Sequence, residues 1–184
     1  MLQINPSESV FLSSVSVIDL LCRFVTILER QPDNLSSSNF SMAFKNVSKE
    51  CNVHKLVHRK FNSLSGGEQR RVHFARTLLQ LWRPSKSNDP RYLLLDEPTA
   101  NLDLSSEMLL MNILKNRASL NVGILVILHD LNLASHFADK IAIIKDGEIM
   151  AFGEPEKIME DTFLTSIYEV PIKVNHNPLR VHYY

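Results

Sequence analysis

Residues 92–99 read Tyr-Leu-Leu-Leu-Asp-Glu-Pro-Thr, and this stretch decides the fold. Tyr92 to Leu95 reads as a short buried strand that ends in two carboxylates. In α/β proteins, ligands bind at the carboxyl edge of a sheet, which is where such a strand delivers Asp96 and Glu97. Downstream, Val122 to Leu128 (VGILVIL) is a continuous apolar run, as expected of a strand covered on both faces. Between the two, a helix capped by Ser105 or Ser106 is expected to run to about Ala118.

Working outward, Leu131 to Ala138 reads as helical. Ile141–Ile144 and Glu148–Phe152 flank Asp146-Gly147, a two-residue hairpin signal. Pro155 suits a first helical turn, and Val170 to Val174 predicts a late strand. Towards the N-terminus, residues 1–12 read as irregular. Apolar side chains at 17, 18, 21, 24, 25 and 28 form one helix face from Ser16. Gln31 to Ser38 reads as a loop, followed by a weaker helix near 39–50 and a short one near 54–59. A helix starts at Ser65, where Ser65 and Glu68 have capping-box spacing and Val72, Ala75, Leu79 and Trp82 share a face. Arg83 to Pro90 is a polar, proline-bearing loop. The chain thus divides into residues 1–90, mostly helical, and 91–184, where strands and helices alternate: an α/β fold with a helical subdomain.

Composition bounds the partners. The 184 residues suit one domain with a real core. Net formal charge is zero, which argues against nucleic acid as a partner. The charge is uneven: residues 1–90 carry 12 Lys and Arg against 7 Asp and Glu, and residues 91–184 carry 8 against 13. Two surfaces of different sign follow. Cys22 and Cys51 have neither zinc nor redox spacing and read as free thiols in a reducing compartment. Val10 to Leu28 is interrupted by Asp19 and Arg23 and lacks a basic flank, so it fits neither a spanning helix nor a signal peptide. The chain reads as soluble and cytosolic.

Several residues have chemistry beyond packing. In Leu64-Ser-Gly-Gly-Glu68, Gly66 and Gly67 expose backbone N–H groups at a helix start, which with the helix dipole favours an anion; Ser65 adds a hydroxyl. The plain alternative is a capped helix start. Asp96 suits the outer shell of Mg2+, and Glu97 suits orienting or deprotonating an attacking water. Because adjacent strand residues point to opposite faces, the two acids have different tasks. His129 ends the second apolar strand, where its ring can sense a terminal phosphate. His54 and His58 are four apart but have no third ligand, so they do not read as a metal site.

Together these stretches resemble the ATP-binding subunits of ABC transporters. Leu64 to Glu68 match the family signature, Tyr92 to Asp96 the Walker B strand, Glu97 the catalytic glutamate, Asn101-Leu102-Asp103 the D-loop, and His129 the switch histidine. Lys145-Asp-Gly-Glu-Ile149 matches a hairpin common in transporter subunits. The resemblance covers roughly residues 13 to 175. It is nearest to hemin-import subunits, through the long stretch from Leu79-Gln-Leu-Trp82 to Pro90-Arg91, through Gly153-x-Pro155, and through Tyr168-x-Val-Pro-Ile172 with Asn175-His176. Siderophore-iron and cobalamin importers share much of this. The resemblance implies ATP and Mg2+ as cofactors, with Ser65, Gly66, Gly67, Glu68 and Asp103 at the nucleotide and Asp96 and Gln3 at the metal. It also implies a head-to-tail partnership with a second ATPase subunit, transmembrane permease subunits, indirectly a periplasmic binding protein, and a peripheral position on the cytoplasmic face of the inner membrane.

The glycines stand at 66, 67, 123, 147 and 153, and no G-x-x-x-x-G-K-[ST] phosphate loop occurs among them. The expectation is therefore a partial P-loop NTPase core, without the Walker A strand, loop and helix or the N-terminal antiparallel sheet. Its hydrolytic activity depends on a phosphate loop from elsewhere; a non-catalytic partner that only donates its signature is the other reading. The same reasoning predicts that Leu93, Leu95, Ile124 and Val126 are uncovered, each forfeiting about 1.5–3 kcal/mol of burial.

Overall fold

The computed structural model describes residues 16–18, 21, 37–82 and 90–184. The irregular start at 1–12, most of the helix expected from Ser16, most of the Gln31–Ser38 loop, the 83–89 loop and Gln3 lie outside the described residues. The described residues fall into two compact units, one comprising those up to 94 together with 99–125, the other residues 95–98 and 126–184.

In the first unit, helix α1 (Ser37–Glu50) packs against helix α2 (Gly66–Leu81). Val72, Phe74, Ala75, Leu78 and Leu79 form the buried stripe of α2, a spacing set by 3.6 residues per turn. Trp82 ends the helix half-buried. No helix forms at 54–59, which is a run of turns closed by a 3-10 turn at Phe61–Ser63. The backbone closes successive turns instead: the Leu56 and Arg59 N–H groups donate three residues back, to the Val53 and Leu56 carbonyls at 2.8 and 2.9 Å, while the Val57 and Arg59 carbonyls accept from Ile18 and Val17 at 2.8 and 3.0 Å. Val17 and Leu21 are buried, as are Ala43, Val47, Cys51 and Val53. Burial pushes the Cys51 thiol up to about 12. Thiolate is the reacting form, so in a Cys22→Ser background Cys51 should resist alkylation at neutral pH and react on the order of 10³-fold faster once urea unfolds the chain. Equal rates in the two states would show that Cys51 is reached without unfolding.

Strand β1 (Arg91–Asp96) lies beside β2 (Val122–Ile127) in a two-stranded sheet. Neither strand is covered on both faces, contrary to the reading of their apolar runs. Tyr92, Leu94, Leu125 and Ile127 are 70, 72, 60 and 52% exposed, whereas Leu93 is buried and Leu95, Ile124 and Val126 are half-buried. The uncovered set is thus the alternate one to that expected. Successive strand side chains point to opposite faces, so Leu93 lies on the covered face and its neighbours Tyr92 and Leu94 on the uncovered one. Gly123 makes room for a ring on this sheet: a Cβ there would lie 2.7 Å from Cδ1 of Tyr92. Helix α3 (Leu104–Ala118) is capped by Asp103, not by Ser105 or Ser106. Arg117 of α3 pairs with Glu50 of α1.

The second unit holds its own apolar cluster of Leu131, Ile141, Ile143, Met159, Leu164, Ile172 and Val181. Helix α4 (Leu131–Phe137) leads to the antiparallel hairpin of β3 (Ile141–Lys145) and β4 (Glu148–Gly153). Its turn residues Asp146 and Gly147 have φ of 53° and 82°, as a two-residue hairpin turn requires. Pro155 opens the short helix α5 (Pro155–Ile158), and α6 (Asp161–Tyr168) follows. Lys145 steadies the end of α6, donating to the Ile167 carbonyl at 2.9 Å and to Glu169 at 2.6 Å. The late strand begins at Ile172 and continues to His176 (β5). It pairs with β6 (Leu179–Tyr183), a strand that the sequence did not lead one to expect. Among the described residues, no helix is long and apolar enough to cross a membrane.

Candidate functional site

The Leu64–Glu68 segment folds as its spacing predicts. Ser65 is the N-cap of α2: its hydroxyl accepts from the Glu68 N–H at 3.3 Å, and its own N–H donates to Glu68 Oε2 at 2.8 Å. That reciprocal pair holds the Glu68 carboxyl below its usual range, helped by Arg59 and Arg71. A Cβ on Gly66 would meet nothing within 4 Å, and one on Gly67 would meet only Arg71 Nη1 at 4.0 Å. Packing therefore does not demand glycine at either position. Their missing side chains leave the N–H end of a 16-residue helix open.

Asp103 spends its carboxylate on its own helix. It accepts from Ser105 Oγ, from the Ser106 N–H at 3.0 Å and from Ser106 Oγ at 2.7 Å. These bonds hold its pKa well below the ordinary aspartate range, the Ser105 hydroxyl first. A depressed folded value contributes stability above the unfolded pKa of about 3.9 and loses it as pH falls through the folded value. Asparagine is an equally good cap, so Asp103→Asn isolates the charge. The stability difference between wild type and this variant should be constant near neutral pH and shrink in acid, read by urea titrations at a series of pH values. A difference that does not change with pH would refute this origin.

Arg71, which carries no motif in the sequence, ties these two motifs within the first unit. From α2, its Nη1 donates to Ser106 Oγ at 2.8 Å, and Ser106 in turn bonds Asp103. Its only sequence signal is a basic residue six positions after the Ser65 cap.

In the second unit, Asp96 is the last residue of β1 and exposed. Glu97 lies beyond the strand, so strand alternation does not set its direction, contrary to the expectation from sequence. Its φ of 44° does, a left-handed conformation unfavourable for a side chain with a Cβ. The Glu97 N–H donates to the Ile127 carbonyl at 3.1 Å, which holds that turn in place. Its Oε1 then sits 2.7 Å from His129 Nε2. Both side chains are open to solvent, His129 at 80% and Glu97 at 46%. The structure therefore joins two residues 32 apart in sequence into one exposed acid–imidazole pair, with Asp96 next to it in the chain. Mg2+ characteristically binds through one or two carboxylates, completing its shell with phosphate oxygens and water. An exposed Asp96 at a strand end fits that donor set. Gln3 lies outside the described residues.

Known proteins share these features. A family model described as ABC transporter matches residues 3–100. The hemin import ATP-binding protein HmuV of Roseobacter denitrificans is 45% identical over 127 residues, covering 67% of this chain and 49% of that protein. HmuV of Escherichia coli O157:H7 is 40% identical over 137 residues, covering 71% and 53%. This chain spans about half the length of the curated relatives it matches. Among solved structures, a metal-chelate type ABC transporter in an inward-facing conformation superposes with a TM-score of 0.71 at 23% identity, covering 93% of this chain and 66% of that one. CbiO1 of Clostridium perfringens, part of the ABC transporter complex CbiONQ, gives 0.61 at 23% identity, covering 83% and 56%. These last two likenesses establish a shared fold.

Proposed function

Because this chain belongs to the ABC transporter family, we propose that it is the signature-bearing and hydrolytic part of an importer's ATP-binding subunit, and that the cargo is hemin. The 2.7 Å contact between Glu97 and His129 carries the hydrolytic half of this reading. Glu97 takes a proton from the attacking water or orients it, and His129 steadies the carboxylate and reports the terminal phosphate. Asp96 is suited to hold the magnesium ion, which supplies charge neutralisation on the phosphates when bound. Ser65, Gly66, Gly67 and Glu68 present the N-terminus of α2 to a nucleotide, and Asp103 fixes the start of α3. Gln3 is assigned to the metal on the resemblance alone.

The 184 residues contain no phosphate loop, so in this reading the loop acts from polypeptide outside them. The signature serves a nucleotide held by a second ATPase subunit in a head-to-tail pair. Residues 1–90 supply the helical subdomain and signature, and 91–184 supply the hydrolytic edge and the C-terminal extension. The pair docks on permease subunits at the cytoplasmic face of the membrane, and a periplasmic binding protein delivers the cargo. The hemin assignment rests on the relatives' names. It is tested by reconstituting the complete transporter in liposomes and measuring ATP hydrolysis with the binding protein loaded in turn with hemin, a ferric siderophore or cobalamin. Stimulation by hemin alone supports the proposal. Stimulation by either of the others reassigns the cargo.

A further inference from the structure

Strand β6 holds the first turn of α4 at Asn132. Asn132 closes on Val181 from both sides: its Nδ2 donates to the Val181 carbonyl at 3.0 Å, and its Oδ1 accepts from the Val181 N–H at 2.8 Å. A primary amide carries a donor and an acceptor side by side, which is what this double contact requires. Leu131 and Val181 also share the buried apolar cluster. From the other end, Asp130 Oδ1 accepts from the N–H groups of Asn132 and Leu133 at 2.7 and 3.0 Å. The main chain from 130 to 133 is thus fixed by a cap, a buried leucine and a two-armed side-chain clasp.

His129 is the residue immediately before this clasped turn. Its side chain is 80% exposed, so packing around the ring contributes little to where it points. The main chain on either side of it, the end of β2 before and the clasped turn after, therefore carries its position.

We propose that Asn132 is a positioning residue for His129: by clasping Val181 it locks the first turn of α4 to the β5–β6 hairpin and so sets the meeting of His129 with Glu97. The inference rests on the reading of Glu97 and His129 as the hydrolytic pair. It makes the β5–β6 hairpin part of the hydrolytic apparatus.

Asn132 chemistry allows a test that a purely structural role would not pass. Asn132→Ala removes both arms. Asn132→Asp leaves a carboxylate that accepts from the Val181 N–H but opposes its carbonyl, and protonating that carboxylate restores the missing donor. The complete ATP-binding subunit, assembled with its permease, is compared as wild type, His129→Ala, Asn132→Ala and Asn132→Asp. The titratable groups beside the clasp, Asp130 at the cap of α4 and Tyr183 on β6, are common to all four forms, and His129 is common to all but His129→Ala. Rates of the two Asn132 variants are therefore taken as ratios to wild type at each pH.

The expected result is a kcat about 10-fold lower for Asn132→Ala with KM for ATP unchanged, at every pH. Asn132→Asp should show the same loss at about pH 8, and its ratio to wild type should rise as pH falls toward the carboxyl's pKa, whereas the Asn132→Ala ratio stays flat; a flat Asn132→Asp ratio down to about pH 4 would overturn the proposal. If Asn132→Ala does not fold, the pH-dependent ratio of Asn132→Asp decides alone. Faster exchange of the Val181 amide with kcat within about twofold of wild type in both variants would overturn the proposal, leaving a clasp that serves stability only. Full activity of His129→Ala would overturn the underlying hydrolytic reading, and the proposal with it; loss in His129→Ala without loss in the Asn132 variants overturns the proposal alone.

Discussion

Glu97→Gln lowers ATP hydrolysis by about 10²–10⁴-fold in the complete transporter, with nucleotide binding retained. The substitution keeps the shape of the side chain and removes its basicity. The Glu97 backbone is held by its N–H bond to Ile127, and a glutamine oxygen can still meet His129 Nε2 if the imidazole carries a proton there. The variant therefore separates chemistry from architecture. The contact is solvent-exposed on both sides, and exposed ion pairs contribute little to folding, so thermal stability should barely move. The left-handed backbone at Glu97 points the same way. A strained residue is retained where the surrounding structure over-determines it, commonly at sites of function. Single-turnover hydrolysis and equilibrium nucleotide binding, measured together, distinguish the outcomes. An unchanged rate, or loss of binding in parallel with the rate, would sink the assignment of Glu97.

Leu164→Ala destabilises the chain by about 2–5 kcal/mol, while Leu125→Ala changes stability by about 0.5 kcal/mol or less. Leu164 is fully buried, among Leu131, Ile141, Ile143, Met159, Ile172 and Val181. Its removal leaves a cavity that those neighbours, held on α4 and on strands β3, β5 and β6 or next to α5, fill only in part. A loss of that size is a large share of the stability of an ordinary domain. Leu125 is 60% exposed and has little burial to lose. Urea titrations of the two variants read the contrast directly, through midpoints at constant slope. If Leu125→Ala costs as much as Leu164→Ala, the face formed by Tyr92, Leu94, Leu125 and Ile127 is covered in solution by another surface.

Much of the local structure was legible in the residues themselves. Ser65 and Glu68 announce a capping box because the contact spans only three residues and needs no tertiary support. Asp146-Gly147 announces its hairpin because few residues tolerate a positive φ. The order of motifs from Leu64 to His129 identified the family, since each lies on a segment whose type the sequence also set. The misreadings share another character. The apolar runs at 92–95 and 122–128 do not say which face is covered, and the segment expected as a helix at 54–59 closes as three-residue turns whose carbonyls at 57 and 59 accept from residues 18 and 17. Asp103 displaces Ser105 and Ser106 as the cap because a carboxylate can accept from both hydroxyls and a backbone N–H together.

By itself, then, the sequence determined the family, the helices and turns whose stabilising contacts are three or four residues long, and the identity of the acid and the histidine at two strand ends. The tertiary structure alone decided that Glu97 turns to meet His129, that Arg71 reaches Ser106, and that Asn132 clasps Val181, residues separated by 32, 35 and 49 positions. Contacts of that kind follow from how whole elements pack. No window of sequence contains both partners, and the chain conformations that bring them together are selected by burial of a shared core rather than by local preference.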